Sequence, residues 1–337
     1  MSILITPRGF RRALALAALA LSCVAAPARA IEPVQIDGVG RMVANLERSV
    51  AFYQLLGFTL EPGGIGAWHK DPATAKLFAA PGVETREATL VTTSNVSMGR
   101  FVLRLTEVRG RSRQDLSDHT PWEPGATHFG LVVPDAQQTW DTLRAKGLLH
   151  ARSWGEALIA PPGQTRGMLA YMTDPDGLDI ELIDQRADRP AGLSHVGLII
   201  LDADTARGFY ETLLGGRLQS KDAPWLKGDF YDSAVGGHGN ILRFFNLGFP
   251  ESAAPAARMN LELVEFQNRK KPVARSRITD RGLGYLVLRV PDLEPALAQS
   301  LRAGAKAVST GIVQAGNGAR EVLIRDPDTG AFLLLRQ

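Results

Sequence analysis

One block of this chain occurs twice, and that repeat restricts the fold more than any other feature. Val39-Gly40-Arg41-Met42-Val43-Ala44-Asn45, with Phe52-Tyr53 behind it, returns as Val196-Gly197-Leu198-Ile199-Ile200-Leu201-Asp202 with Phe209-Tyr210. From Phe52 to Phe209 the offset is 157 residues. The segment His128-Phe129-Gly130-Leu131-Val132-Val133-Pro134-Asp135 returns as Tyr285-Leu286-Val287-Leu288-Arg289-Val290-Pro291-Asp292, again at an offset of 157. Two unrelated segments that share one spacing imply duplication of a whole block. The block itself has two similar halves, so the chain reads as four modules beginning near Gly38, His128, His195 and Tyr285.

Each module opens with an apolar, strand-like run that ends in Asn45, Asp135, Asp202 or Asp292, residues suited to N-cap a following helix. In the first helix Leu46, Val50 and Tyr53 fall at i, i+4 and i+7 beside Phe52, which makes one apolar stripe. Gly57, Gly147 and Gly304 stand where helix ends favour a left-handed residue. Short strands follow, punctuated by Pro161-Pro162-Gly163, Asn317-Gly318, and Asp174-Pro175-Asp176-Gly177 with its echo Asp326-Pro327-Asp328-Thr329-Gly330. Each module therefore reads β-α-β-β-β, and the fold class is α+β. A lone module would leave one sheet face bare, so modules must pair, with their mixed sheets curling around shared cavities.

Composition narrows the class. With 45% hydrophobic and 22% charged residues in 337, and one cysteine, disordered, collagenous and disulfide-scaffold chains are excluded. The formal charge of +3 is misleading as a sign of nucleic-acid binding. Arg8, Arg11 and Arg12, the apolar run from Ala13 to Val24, and Ala28-Arg29-Ala30 have the order of a secretory signal peptide, and the run is too short to span a bilayer. Arg11-Arg12 also suits the twin-arginine route. Cleavage near Ala30 removes four arginines and no acid, which leaves 34 basic against 35 acidic residues, and it removes Cys23. We therefore expect an exported protein, periplasmic or secreted, with no thiol chemistry, no nucleic-acid partner and no stable membrane insertion. Arg269-Lys270-Lys271 has no interleaved aromatics and reads as a solvated connector. The expected division is signal peptide 1–30, a first domain 31–190 from modules one and two, and a second domain 191–337 from modules three and four.

The openings Val39 to Phe58, His128 to Leu143 and His195 to Leu214, with the Asp-Pro-Asp-Gly ending that leads to Glu181, resemble the vicinal oxygen chelate superfamily, which includes glyoxalase I, bleomycin resistance proteins and extradiol dioxygenases. The resemblance covers essentially all of residues 34 to 337. It implies two glyoxalase-like domains. It also implies one metal ligand on the first strand of a module, seven residues before the capping Asn or Asp, and a Glu on the last strand. The matching positions are Gly38 and Arg104 in module one, His128 and Glu181 in module two, His195 and Glu262 in module three, and Tyr285 and Leu334 in module four. Only the two middle modules keep ligand-type residues. Were modules one and two to share a cavity, and three and four another, each cavity would have one His and one Glu. Pairing two with three collects His128, Glu181, His195 and Glu262 in one place, and the presence of all four in adjacent modules favours that pairing.

Two imidazoles and two carboxylates suit Zn, Ni, Co, Mn or Fe(II). Four protein ligands on a six-coordinate ion leave two cis positions, enough to chelate a small substrate through vicinal oxygens, with Glu181 or Glu262 as the base. The leading expectation is a divalent-metal lyase or isomerase. A three-ligand Fe(II) dioxygenase and a non-catalytic binding protein are the alternatives. Weaker substrate-binding candidates are Tyr285 and His238, the latter in the turn-rich Gly236-Gly237-His238-Gly239; His69, His119 and His150 have no partner spacing. Trp68, Trp225, Phe230 and Tyr231 fall in long segments suited to closing over a cavity. Unpaired module faces leave room for a homodimer.

Overall fold

The strand-to-helix openings recur in space as they do in sequence. A computed structural model of the protein describes residues 34–95, 99–125, 127–152, 158–159, 168–185, 190–214, 217–218, 223–248, 260–268 and 276–337. The signal segment 1–30, Pro161-Pro162-Gly163 and Arg269-Lys270-Lys271 lie outside the described residues. Module one runs β1 (Gln35–Val43), α1 (Leu46–Leu55), β2 (Thr59–Ile65), α2 (Pro72–Leu77), β3 (Glu84–Thr93) and β4 (Arg100–Arg109). Module two follows as β5 (Thr127–Val133), α3 (Ala136–Ala145), β6 (His150–Ala151), β7 (Leu158–Ile159), β8 (Met168–Thr173) and β9 (Asp179–Asp184). Module three is β10 (Gly192–Ile200), α4 (Ala203–Leu214), β11 (Arg217–Leu218), β12 (Leu226–Lys227), α5 (Asp229–Val235), β13 (Ile241–Gly248) and β14 (Asn260–Phe266). Module four closes with β15 (Gly284–Arg289), α6 (Leu293–Arg302), β16 (Lys306–Ala307), β17 (Val313–Gln314), β18 (Arg320–Arg325) and β19 (Phe332–Arg336).

Local chemistry sets these boundaries. Asn45, Asp135 and Asp202 each accept the N–H three residues on, at 2.8, 2.7 and 2.8 Å. Asp292 has the extended capping backbone but makes no such side-chain bond. Gly57 and Gly304 adopt φ of 87° and 96° just past their helices, where a Cβ would be strained.

Strand pairing crosses the halves of the chain. One sheet has the order β16-β18-β19-β15-β1-β4-β3-β2, and the other β11-β13-β14-β10-β5-β9-β8-β6. Module one thus shares a sheet with module four, and module two with module three. Each sheet is mixed and open: β1 and β15 are antiparallel, as are β5 and β10, while each of these four runs parallel to the last strand of its own module. One face of each sheet packs with the helices into a common core that includes Phe52, Trp140, Phe209 and Leu263. The rings of Phe101 and Phe129 meet edge to face at 5.7 Å and join the sheets.

Sequential modules are tied in a second way. Asp174 accepts from the Tyr53 hydroxyl at 2.7 Å, and Asp176 accepts from the Ala44 N–H and the Ser49 hydroxyl, each at 2.9 Å. The turn of module two is thereby docked at the start of α1. Asp328 repeats the device, taking the N–H groups of Leu201 and Asp202 at 2.7 and 3.1 Å. With both kinds of link, Pro33–Gln337 forms one compact unit.

Burial pushes the Asp328 carboxyl up to about 6, against the opposing pull of the Leu201 N–H and with help from the Asp326 charge. A carboxyl raised in the fold holds its proton more tightly than in the unfolded chain, so its contribution is greatest below about pH 4 and declines as pH rises to 6. Asp328→Asn should therefore flatten this part of the pH profile. Urea unfolding at pH 4.5 and pH 7 checks it: equal pH dependence in wild type and variant would contradict the assignment.

Candidate metal centre

The central antiparallel pair of the second sheet builds the site. His195 lies opposite Gly130, and His128 opposite Gly197. A register shift between Leu193 and His195 marks a bulge in β10 immediately before His195, a feature that re-aims a side chain. Each imidazole lies across the facing glycine. A Cβ added at Gly197 would come within 1.8 Å of His128 Cε1, and one at Gly130 within 2.0 Å of His195 Cε1. The rings are 5.3 Å apart and nearly perpendicular. Only glycine at both positions lets two histidines from crossed-over strands share one face.

The flanking parallel strands add the acids. Glu181 on β9 is in register with Gly130, and Glu262 on β14 with Gly197. His128 Nε2 is 3.2 Å from Glu262 Oε2, and His195 Nε2 is 3.2 Å from Glu181 Oε2 and 3.7 Å from Glu262 Oε2. All four side chains are buried. Ligand atoms of His128, His195 and Glu262 lie within 4.8 Å of one another, and Glu181 joins through His195. Two donors roughly 2.1 Å from one ion, at adjacent corners of its polyhedron, are separated by about 3.0–3.4 Å, so the two 3.2 Å spacings suit cis ligands, while His195 and Glu262 stand slightly wider at 3.7 Å. The donor set therefore fits a divalent cation. Burial raises the Glu262 carboxyl, but the charges of His195 and His128 and the His128 hydrogen bond outweigh it and hold the group below the usual range.

Both halves of the chain, residues 35–182 and 192–331, match the model of the glyoxalase/bleomycin resistance protein/dioxygenase superfamily. The chain belongs to this superfamily. A probable chloroplastic lactoylglutathione lyase from Arabidopsis thaliana is 33% identical over 148 residues, 43% of this chain and 37% of that protein. A second lactoylglutathione lyase from the same plant is 35% identical over 124 residues, 36% of this chain and 38% of the relative. The match thus spans less than two fifths of either relative. A glyoxalase I variant from Zea mays has the same fold, with a TM-score of 0.61 at 19% identity, covering 90% of this chain and 92% of that one.

In this superfamily member the first sheet carries no counterpart of the site among the described residues. Tyr285 takes the place of His128, lying across Gly40 as His128 lies across Gly197. It is buried and packs at 6.3 Å from Phe78, in a core completed by Leu77 and Leu334. Residues Leu77 and Phe78, at the end of α2, plug this face. Gly38, Arg104 and Leu334 hold the other three positions. His238 is exposed in the turn after α5, beside Asp232. Neither Tyr285 nor His238 is brought to the four-residue cluster. Glu265, on the face opposite Glu262, is held by Arg243 at 2.6 Å.

A second ring of polar residues escapes sequence reasoning. Asp179, in register with His128, accepts from Arg152 Nε at 2.8 Å and lies 3.2 Å from His119 Nε2. The alternation of Leu178-Asp179-Ile180-Glu181 places Asp179 on the Glu181 face, but nothing in the spacing points to His119 or Arg152. Apolar clusters border the site on both sides. Phe230 packs against Val132, Leu169 and Ile183, while Tyr231 and Trp122 pack against Ile199, Leu242 and Phe266. Helix α5 thus bridges the clusters. Trp68 and Trp225 are instead stacked under Arg109 and Arg243, at 4.3 and 4.4 Å.

Proposed function

We propose that this protein is a metal-dependent lyase or isomerase of the glyoxalase type, acting on a small substrate bound through vicinal oxygens at His128, Glu181, His195 and Glu262. The convergence of these four side chains from two modules onto one sheet face carries the reading. A divalent ion held by them supplies open coordination positions for the two oxygens and draws electron density from the carbonyl. Glu262 and Glu181, on opposite flanks of the two imidazoles, are the carboxylates that would take a proton from one carbon and return it to the next. The Gly130 and Gly197 cradles fix both imidazoles, which lowers the cost of ordering the site.

One plant relative is a lactoylglutathione lyase and the other a probable one, which supports a lyase reading for this chain. Residues 1–30 have the pattern of an export signal, which supports a site of action outside the cytoplasm for a mature chain of two glyoxalase-like halves, proposed as 31–190 and 191–337. Metal analysis tests the site. Purified mature chain is expected to hold about one divalent ion, and the His128→Ala/His195→Ala double variant almost none. A wild type without metal, or a double variant that holds as much as wild type, refutes the reading.

A further inference from the structure

Beside His128 the sheet face drops into a small recess of about 30 Å³. Pro121, Ile199, Val235, Leu242, Phe244, Val264 and Phe266 form most of its wall. Asp179 is also in the wall, and among the described lining residues there is no lysine or arginine. The placement of Asp179 is determined by the sheet: it is the residue of β9 directly beside His128, on the same face as Glu181, and 3% exposed. Arg152 and His119 hold its two oxygens, Oδ1 and Oδ2, yet neither residue belongs to the cavity wall. The arginine instead lines a separate, open cleft with Asp118 and Arg281. A carboxylate is thus fixed in a largely apolar recess that it shares with Thr127, His128 and Tyr171, with its arginine partner set outside the wall.

Resting on the proposed metal site, we infer that Asp179 is a specificity-determining residue: the recess beside His128 accepts a small neutral or cationic substrate tail and rejects an anionic one. Like charges brought together in a low-dielectric recess repel more strongly than in water, and although Arg152 and His119 hold Asp179 from behind, no lysine or arginine lines the wall to receive an anionic tail. The substrate class is therefore a compact vicinal-oxygen compound whose remaining group is alkyl, or carries an ammonium or other hydrogen-bond donor for Asp179. A tail ending in a carboxylate, as in a peptide conjugate, is excluded from this recess.

A charge series on one chelating head tests it. The zinc-loaded chain is titrated calorimetrically with butanohydroxamate, 3-aminopropanohydroxamate and 3-carboxypropanohydroxamate, which share the hydroxamate oxygens and differ at the far end. The carboxylate compound is expected to bind at least tenfold more weakly than the other two. Asp179→Asn should erase that gap, since it removes the repelling charge and leaves Arg152 without its partner, while Asp179→Glu should keep it. Where Asp179→Asn does not fold, Arg152→Gln replaces it and should widen the gap. Equal or tighter binding of the carboxylate compound by wild type overturns the inference, and so does an unchanged gap in a folded, zinc-loaded Asp179→Asn. Zinc content is read on the same samples: a chain without zinc sinks the metal reading and this inference together, and a zinc-loaded chain without the charge preference sinks this inference alone.

Discussion

Gly197→Ala is expected to weaken metal binding by at least about a hundredfold, more than loss of an outer-shell contact costs, although it adds a single carbon and alters none of the four ligands. The added Cβ would lie 1.8 Å from His128 Cε1 and 2.2 Å from its Nε2, far inside any tolerated contact. His128 cannot keep its place, because it is 5% exposed and hemmed in by Glu262 at 3.2 Å and by the rings of His195 and Tyr171 at 5.3 and 6.3 Å. The ring must swing away from Glu262 or the strands must part, and overpacking of this kind costs about 1–3 kcal/mol in stability as well. Gly130→Ala should act alike through His195. Gly208→Ala, in helix α4 with open space around the added carbon, is the control and should bind metal normally and be slightly more stable. Competition against a chromogenic zinc chelator measures all three. Wild-type affinity in Gly197→Ala would show that His128 does not ligate from this position.

The same pair of glycines shows how far the sequence could be read. The offset of 157 identified the modules, and the ligand position that the superfamily resemblance implies, seven residues before Asp135 and Asp202, fell on both histidines. His128-Phe129-Gly130 and His195-Val196-Gly197 share a further signal, a glycine two residues on, and Tyr285-Leu286-Val287 lacks it. That difference matches the structure, where the first sheet has no second imidazole to accommodate. The plug made by Leu77 and Phe78, and the contact of His119 with Asp179 across 60 residues, had no such trace. They come from connecting segments, where no periodicity ties position in the chain to position in space. Strand pairing between the halves was likewise a choice between two arrangements, and chemistry decided it: scattered ligands have no use, while collected ones do.

The plugged sheet makes the second prediction, because its Arg104 occupies the register position of Glu262. Arg104 Nη1 is 3.4 Å from Glu321 Oε1, the two side chains being 20% and 5% exposed, and Glu87 lies in the same cluster, accepting from Thr106 at 3.4 Å. Burial raises the carboxyls of both Glu87 and Glu321, and the Arg104 charge opposes that rise in each case. Arg104→Met should therefore destabilise the protein by about 3 kcal/mol at pH 7, the cost of leaving buried carboxylates without their cation, although Arg336 at 3.4 Å still serves Glu321. The pH dependence follows from the direction of the shifts. Groups whose folded pKa lies above the unfolded value near 4.3 stabilise most when protonated and lose that contribution as pH rises through the folded pKa. Without Arg104 both folded values climb further, so the loss deepens at neutral pH and shrinks toward pH 4.5. Replacing all three groups, as Arg104→Met/Glu87→Gln/Glu321→Gln, should recover most of the deficit, since a buried ion cluster is seldom more stable than a neutral one of similar shape. Urea unfolding of the three proteins at both pH values measures this. A deficit as large at pH 4.5 as at pH 7, or a triple variant no better than Arg104→Met, would mean that Arg104 supports this sheet by packing and not by charge.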